Sequence, residues 1–296
     1  MDCWPFLFYT MTKRQLIIAN ERMRRKYEKK FFKPVKQALA DQVKTYSTTL
    51  KEQGTQALQS QLSGLVVIAN IGEPIGKLYV ELGLEKANSS LKALRSLPKV
   101  EKKKINLGYN SEWTAQILDY FGRHLFDKLV LPISETTRDY IQLILNLGIE
   151  EGWSIERMVQ EIERADYIDG RVRRILRTES NRAINYGGEL ARDKFEYVTQ
   201  KQWVAVHDNR TRHTHLAADG QTVSSDGYFE VGGEQMEFPG DPNASGANTI
   251  NCRCFAADVA VRDGEGRLIP KEGTPSVRIR GRLRRQLQGI LNDLTT

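Results

Sequence analysis

The chain has 296 residues, 40% apolar and 27% charged, with a formal net charge of +7 at pH 7. This is the composition of a folded protein of about two domains, not of a disordered or fibrous one. Three cysteines are too few for a disulfide framework, and the longest apolar run, LVVIANIG at 65–72, is far short of the about 20 residues of a membrane span. The excess of base favours an acidic partner such as nucleic acid or a membrane surface.

The first residues, MDCWPFLFYT, are apolar and aromatic but are a poor leader peptide. Asp2 stands where a basic region belongs, and Pro5 interrupts the apolar stretch. Trp4, Phe6, Phe8 and Tyr9 belong either to a segment folded back on the core or to one that docks on a partner. The expectation is a cytoplasmic protein without a membrane segment.

Residues 1–60 carry twelve lysines and arginines against five acidic residues. Scarce glycine and proline predict one or two long helices over 11–60, with a break or kink at Pro34. ANIGEPIGKLY (69–79) reads as a turn-rich interruption, and 85–112 as a helix end passing into a polar link. Residues 111–129 predict a helix capped by Ser111, with Leu118, Phe121, Leu125 and Leu129 as its apolar stripe. A second helix is expected after Pro132 with Ser134 as cap and Gly148 near its end. A third spans 154–165, burying Ile155, Met158, Val159 and Ile162. A fourth spans 169–198, with Gly187–Gly188 as a weak or close-packed point.

The texture then changes. KQWVAVHD (201–208) alternates as a strand does, with Trp203, Ala205 and His207 on one side. A Gly-, Asp- and Asn-rich stretch follows, and CRCFAADVAV (252–261) reads as a closing strand. The fold class is therefore α+β: a mostly helical N-terminal part, then a small α+β module with short strands and long loops. The organisation is a basic helical region at 1–130, a module at 131–262 and a basic amphipathic tail at 263–296. In that tail Arg278, Arg280, Arg282, Arg284 and Arg285 sit beside Leu283, Leu287, Ile290 and Leu291, a pattern suited to phosphates or an acidic protein surface.

Three of the four histidines and two of the three cysteines fall between 207 and 254. Cys252 and Cys254 share one face of an extended strand, with Arg253 opposite. A disulfide between them is disfavoured by geometry and by a reducing compartment. His213, His215, Cys252 and Cys254 offer four ligands to zinc. The competing readings are small core hydrophobes and, more weakly, a thiol nucleophile. Arg177 and Glu179 read either as a functional pair or as an internal brace.

RTESNRAIN, then KQWVAVHDNRTRHTHLAADGQTV, then FPGDPNASGANTINCRC, in that order, resemble the Mu protein F-like (SPP1-type) family of phage minor head proteins. The resemblance covers about 130–262. It rests on Arg177, Thr178, Glu179, Trp203, Asp208, Arg210, Arg212, His215, Gly220, Pro239, Asp241, Asn251, Cys252, Arg253 and Cys254. His213 lies outside the pattern, which leaves Asp208, His215, Cys252 and Cys254 as the ligand set for a structural zinc. The resemblance implies a non-enzymatic virion protein of a tailed phage or prophage. It would be made in the bacterial host cytoplasm and placed in the virion head. Its implied role is head assembly at the portal vertex, with portal and capsid proteins and non-specifically bound phage DNA as partners. The alternative is a metal-dependent nuclease or peptidase built on the His, Asp and Cys cluster.

Overall fold

The computed structural model describes residues 11–62, 70–98 and 109–272. The helical part comprises α1 (Lys13–Leu62), α2 (Gly72–Arg95), α3 (Tyr109–Leu125), a π-helical turn (Phe126–Val130), α4 (Leu131–Glu150), α5 (Ile155–Ile162) and α6 (Ala165–Lys194). The module that follows comprises β1 (Thr199–Val204), α7 (His213–Ala217), β2 (Thr222–Ser224), β3 (Phe229–Val231), β4 (Glu234–Met236), α8 (Gly246–Thr249) and β5 (Phe255–Ala260). The mostly helical first part and the small antiparallel sheets of the second match the α+β expectation. Among the described residues no helix is long and apolar enough to cross a membrane.

Helix α1 buries Tyr27, Phe31, Val35, Ala38, Gln42 and Tyr46, a three-to-four residue spacing that puts them on one face. Of the break or kink expected at Pro34, the break does not occur: Pro34 lies within the helix, and the non-helical residue is Gly54, at φ 82°. A proline costs one internal hydrogen bond, whereas a positive φ takes the chain out of the helix altogether. The first half of α1 packs with α2, α3 and α6 in one core; its second half packs with α4 and α5 in another.

Several helix boundaries differ from expectation for local reasons. The predicted turn at 69–79 is mostly helix, because Pro74 falls in the first turn of α2, where its missing N–H costs nothing. Ser111 is not a cap: α3 already starts at Tyr109, whose ring packs on Trp113 at 5.6 Å. The buried stripe of α3 is Trp113, Ile117, Tyr120 and Phe121, and Leu118 is 48% exposed. Ser134 does not cap α4 either; it is buried within it and its hydroxyl donates to the Val130 carbonyl. Pro132 starts no new segment, because the π turn joins α3 to α4 as one helix and widens the turn just before the proline's missing donor. Ser154 does cap α5, accepting from Arg157 N at 3.3 Å, and Met158, Val159 and Ile162 form its buried face as expected.

Gly187 is a close-packing site. A Cβ there would lie 2.5 Å from the Gly83 carbonyl oxygen, so the two glycines let α2 and α6 approach backbone to backbone. Helix α6 also carries the module. Strand β1 lies between β2 and β5, antiparallel to both, with Trp203 opposite Ala256. Strands β3 and β4 form a hairpin closed by Gly232 and Gly233 at φ 60° and 81°, as a two-residue turn with matching twist requires. Trp203, Ala205, Phe229, Val231, Met236 and the two cysteines make the module's own core. On the other face Val204, Phe255 and Ala257 meet Leu16 and Ile17 of α1.

Candidate metal centre and its brace

The closing segment turns at Asn251, the one described non-glycine residue with positive φ, 61°. Asparagine tolerates this conformation better than most residues. Its amide N–H donates to Thr178 Oγ1 at 3.0 Å, and its side-chain oxygen accepts from Arg177 at 3.2 Å. The turn leads the chain out of α8 into extended backbone, so Cys252 and Cys254 project to one side and Arg253 to the other.

Both sulfurs face His215, held on the short helix α7. His215 Nδ1 is 3.6 Å from Cys252 Sγ and 3.5 Å from Cys254 Sγ. All three residues are buried, at 1–2% exposure, and their ligand atoms lie within 4.8 Å of one another. Trp203 stands edge-on to the imidazole, ring centroids 5.4 Å apart. Both cysteines are free thiols. The hydrogen bond from Cys254 and the His215 contact hold the Cys252 thiol well below its ordinary range. That same bond to Cys252, with burial, pushes Cys254 well above its range. The Val206 amide and the nearby Trp203 indole offset only a small part of this rise. His215 Nε2 is buried with no hydrogen-bond partner among the described residues. A buried pair of sulfurs beside one imidazole can hold a metal ion.

The expected ligand Asp208 is not in this group. Its carboxylate takes both arms of Arg253, at 2.6 and 2.5 Å, together with Arg210 N at 3.0 Å and Thr211 Oγ1 at 3.2 Å. The reason is the strand alternation: Arg253 leaves the strand opposite the cysteines and draws Asp208 to that side. His213 is exposed, so the set of two histidines and two cysteines does not assemble either. Arg212 donates to the Ile250 carbonyl at 2.6 Å. Gly220, at φ 86°, donates to the Trp203 carbonyl at 2.9 Å. The tail arginines 278, 280, 282, 284 and 285 lie outside the described residues.

Arg177 and Glu179 do not pair with each other. Glu179 is buried against Arg182 at 2.8 Å and the Tyr79 hydroxyl at 2.7 Å. Asn181, Arg182 and Asn185 carry no motif of their own in the sequence, yet they hold the module's loops to α6. Arg182 donates to the Gly240 carbonyl at 3.0 Å. Asn185 donates to the Pro239 carbonyl at 2.9 Å and accepts from Ala256 N at 2.8 Å, while Asn181 donates to the Cys254 carbonyl at 3.1 Å. The one local signal was two asparagines, poor helix formers, spaced i, i+4 inside a helix. Asp241 closes the Pro-Gly loop by accepting from Glu237 N and Asn243 N, each at 2.8 Å.

Over residues 139–257 the chain matches the family described as Phage Mu protein F like protein. The chain carries a Mu F-like domain. Among curated proteins it is similar to an NAD(+)--arginine ADP-ribosyltransferase, EFV, of Enterococcus faecalis. They are 28% identical over 144 residues, which is 47% of this chain and 29% of that protein. It is also similar to the uncharacterized protein YqbB of Bacillus subtilis, at 26% over 137 residues, 45% of each. The chain thus spans less than half the length of either relative. No solved structure matches.

Proposed function

We propose that this chain is a minor head protein of a tailed phage or prophage, acting in head assembly at the portal vertex. The observation that carries this reading is the Mu F-like domain itself, with its motif residues turned on one another. Arg253 holds Asp208, Arg177 holds Asn251, Arg212 holds the Ile250 carbonyl, and the three sulfur and nitrogen ligands face inward. Groups so engaged suit a rigid assembly module rather than an enzyme. A catalytic metal needs a reachable open position, and His215, Cys252 and Cys254 are 1–2% exposed. The arginine-directed activity in the name of the Enterococcus protein belongs to that protein, 29% of which is covered.

The metal in this proposal is structural zinc, held by His215, Cys252 and Cys254. These residues would supply three of zinc's four positions, and bonds of about 2.3 Å to sulfur and about 2.0 Å to nitrogen space those atoms about 3.5 Å apart. The separations found are 3.5 and 3.6 Å. The ion would lock the segment that carries the two cysteines to α7.

The test is co-expression with portal and major capsid protein, then sedimentation of the assembled heads. The chain is expected in the head fraction in portal-dependent amount, and its absence from heads formed with portal overturns the reading. The basic ends are proposed to touch phage DNA, so DNA affinity should fall steeply with salt. Binding indifferent to salt removes that part alone.

A further inference from the structure

Helix α1 buries Tyr27, Phe31 and Val35 on one side and sets Arg22, Arg25, Lys29 and Lys33 on the other, all exposed. Their spacing of three and four residues makes one row, about 16 Å from first to last. A second row lies beside it on α6. The Arg173 guanidinium carbon is 5.2 Å from the centre of the Phe32 ring of α1, and Arg177 follows one turn on. Among the described residues Arg22, Lys29, Lys33 and Arg173 enter no ion pair. The acids of this stretch, Glu21 and Glu28, are both held by Arg24, whose side chain is 6% exposed, and Glu21 also takes Arg25 at 3.0 Å. The side of α1 turned to α2 differs: there Lys26 and Lys30 are matched by Glu85 and Glu81. Like charges four residues apart destabilise a helix, so the outer row suits a partner that supplies negative charge.

We infer that this face of α1 and α6 binds the phosphates of double-stranded nucleic acid, without regard to sequence. The inference rests on the DNA contact proposed above and gives that contact a place in the fold. No exposed large apolar side chain lies between Arg22 and Lys33 or between Arg173 and Arg177. A helix lying in a membrane surface needs such side chains, and a protein interface needs an apolar core. A single strand needs aromatic rings to stack on. What the face offers is charge alone, in a straight and rigid row. Phosphates of one duplex strand follow at about 3.4 Å along the axis, so the α1 row runs beside about five of them.

The test is titration of the full-length chain with a mixed-sequence duplex of about 30 base pairs at several salt concentrations. Arg22→Gln/Lys29→Gln/Lys33→Gln removes three exposed cations that pair with nothing in the fold. It should bind about tenfold or more weakly at about 0.1 M salt, and the slope of log K against log salt should become shallower by about 2 to 3. Arg22→Lys/Lys29→Arg/Lys33→Arg keeps the charge and should bind as the wild type does. Arg123→Gln/Lys128→Gln/Arg157→Gln removes the same charge from α3, the π turn and α5, and should leave the affinity within about threefold. Equal losses in the two neutralised triples overturn the inference and leave DNA binding itself standing. A wild-type chain with no affinity for duplex overturns both, while entry into heads is read separately by sedimentation. An α1 triple that keeps duplex binding but loses binding to phosphatidylglycerol vesicles assigns the face to a membrane, and also overturns the inference.

Discussion

Arg253 grips Asp208 with two parallel hydrogen bonds of 2.5 and 2.6 Å across 45 residues of chain. The guanidinium is nearly buried, at 8% side-chain exposure, and the carboxylate is 31% exposed. The pair joins the loop after β1 to the segment that carries both cysteines. Removing the carboxylate strands a desolvated cation, which costs more than losing a surface pair. Asp208→Asn is expected to destabilise the chain by about 2 kcal/mol in urea unfolding, with metal content unchanged. Loss of metal in that variant would return Asp208 to the ligand set.

The same pair sets an acid limit. The Arg253 hydrogen bond, with that from Arg210 N, holds the Asp208 carboxyl well below its ordinary value. A depressed folded-state pKa gives stability that is complete above the unfolded value of about 3.9 and lost as pH falls through the folded one. The wild-type chain should therefore lose stability relative to Asp208→Asn below about pH 4. Unfolding curves at pH 7 and pH 3 check this: the gap between the two proteins should narrow at the lower pH.

The metal centre predicts composition. Chain purified without chelators should carry about one zinc per molecule, and Cys252→Ser or His215→Ala should carry almost none. Without metal, Tm should fall by about 5 °C or more. Trp203→Phe keeps all three ligands but removes the indole beside Cys254, and should weaken zinc binding by about tenfold. Elemental analysis and competition with a chromogenic chelator measure both effects.

Packing of α2 on α6 predicts opposite outcomes for two glycines. Gly187→Ala forces a methyl to 2.5 Å from a backbone oxygen and should cost about 1–3 kcal/mol. Gly170→Ala, in the same helix and with nothing within 4 Å, should stabilise by about 0.5–1 kcal/mol. Thermal unfolding of the two variants side by side reads the difference.

At the turn into the cysteine segment, Asn251→Gly keeps the left-handed backbone and loses the Arg177 contact, whereas Asn251→Ala loses both. The alanine variant should be the less stable by about 1 kcal/mol. Equal stabilities would mean that the side-chain contact, and not φ, is what the asparagine supplies.

Patterns carried by neighbours in sequence were legible. The alternation of Cys252, Arg253 and Cys254 foretold which way each side chain points, and the spacing of Met158, Val159 and Ile162 foretold the buried face of α5. Choices set by distant chain were not. Leu118 has the spacing of a buried residue, but Trp113, Ile117 and Phe121 set the phase of α3 against α2 and α6. Pro34 is a strong local signal, yet α1 runs on through it, and the residue that leaves helical geometry is Gly54. Asp208 looked like a ligand beside histidines until Arg253, 45 residues on, supplied its partner. Asn181, Arg182 and Asn185 act on loops 54–73 residues away, and nothing next to them in the chain says so.

Lys13, in the first turn of α1, is bonded to Asp219 at 2.5 Å, 206 residues later. During synthesis at about 5–20 residues per second, the helix leaves the ribosome on the order of 10–40 s before its partner exists. For that interval Leu16 and Ile17 lack Val204, Phe255 and Ala257, the residues that later cover them. Contacts of such separation are slow to form, so the final docking of the front helix onto the module is a late step. Nascent chains halted before β5 should therefore leave the start of α1 open to protease, and release of the whole chain should close it.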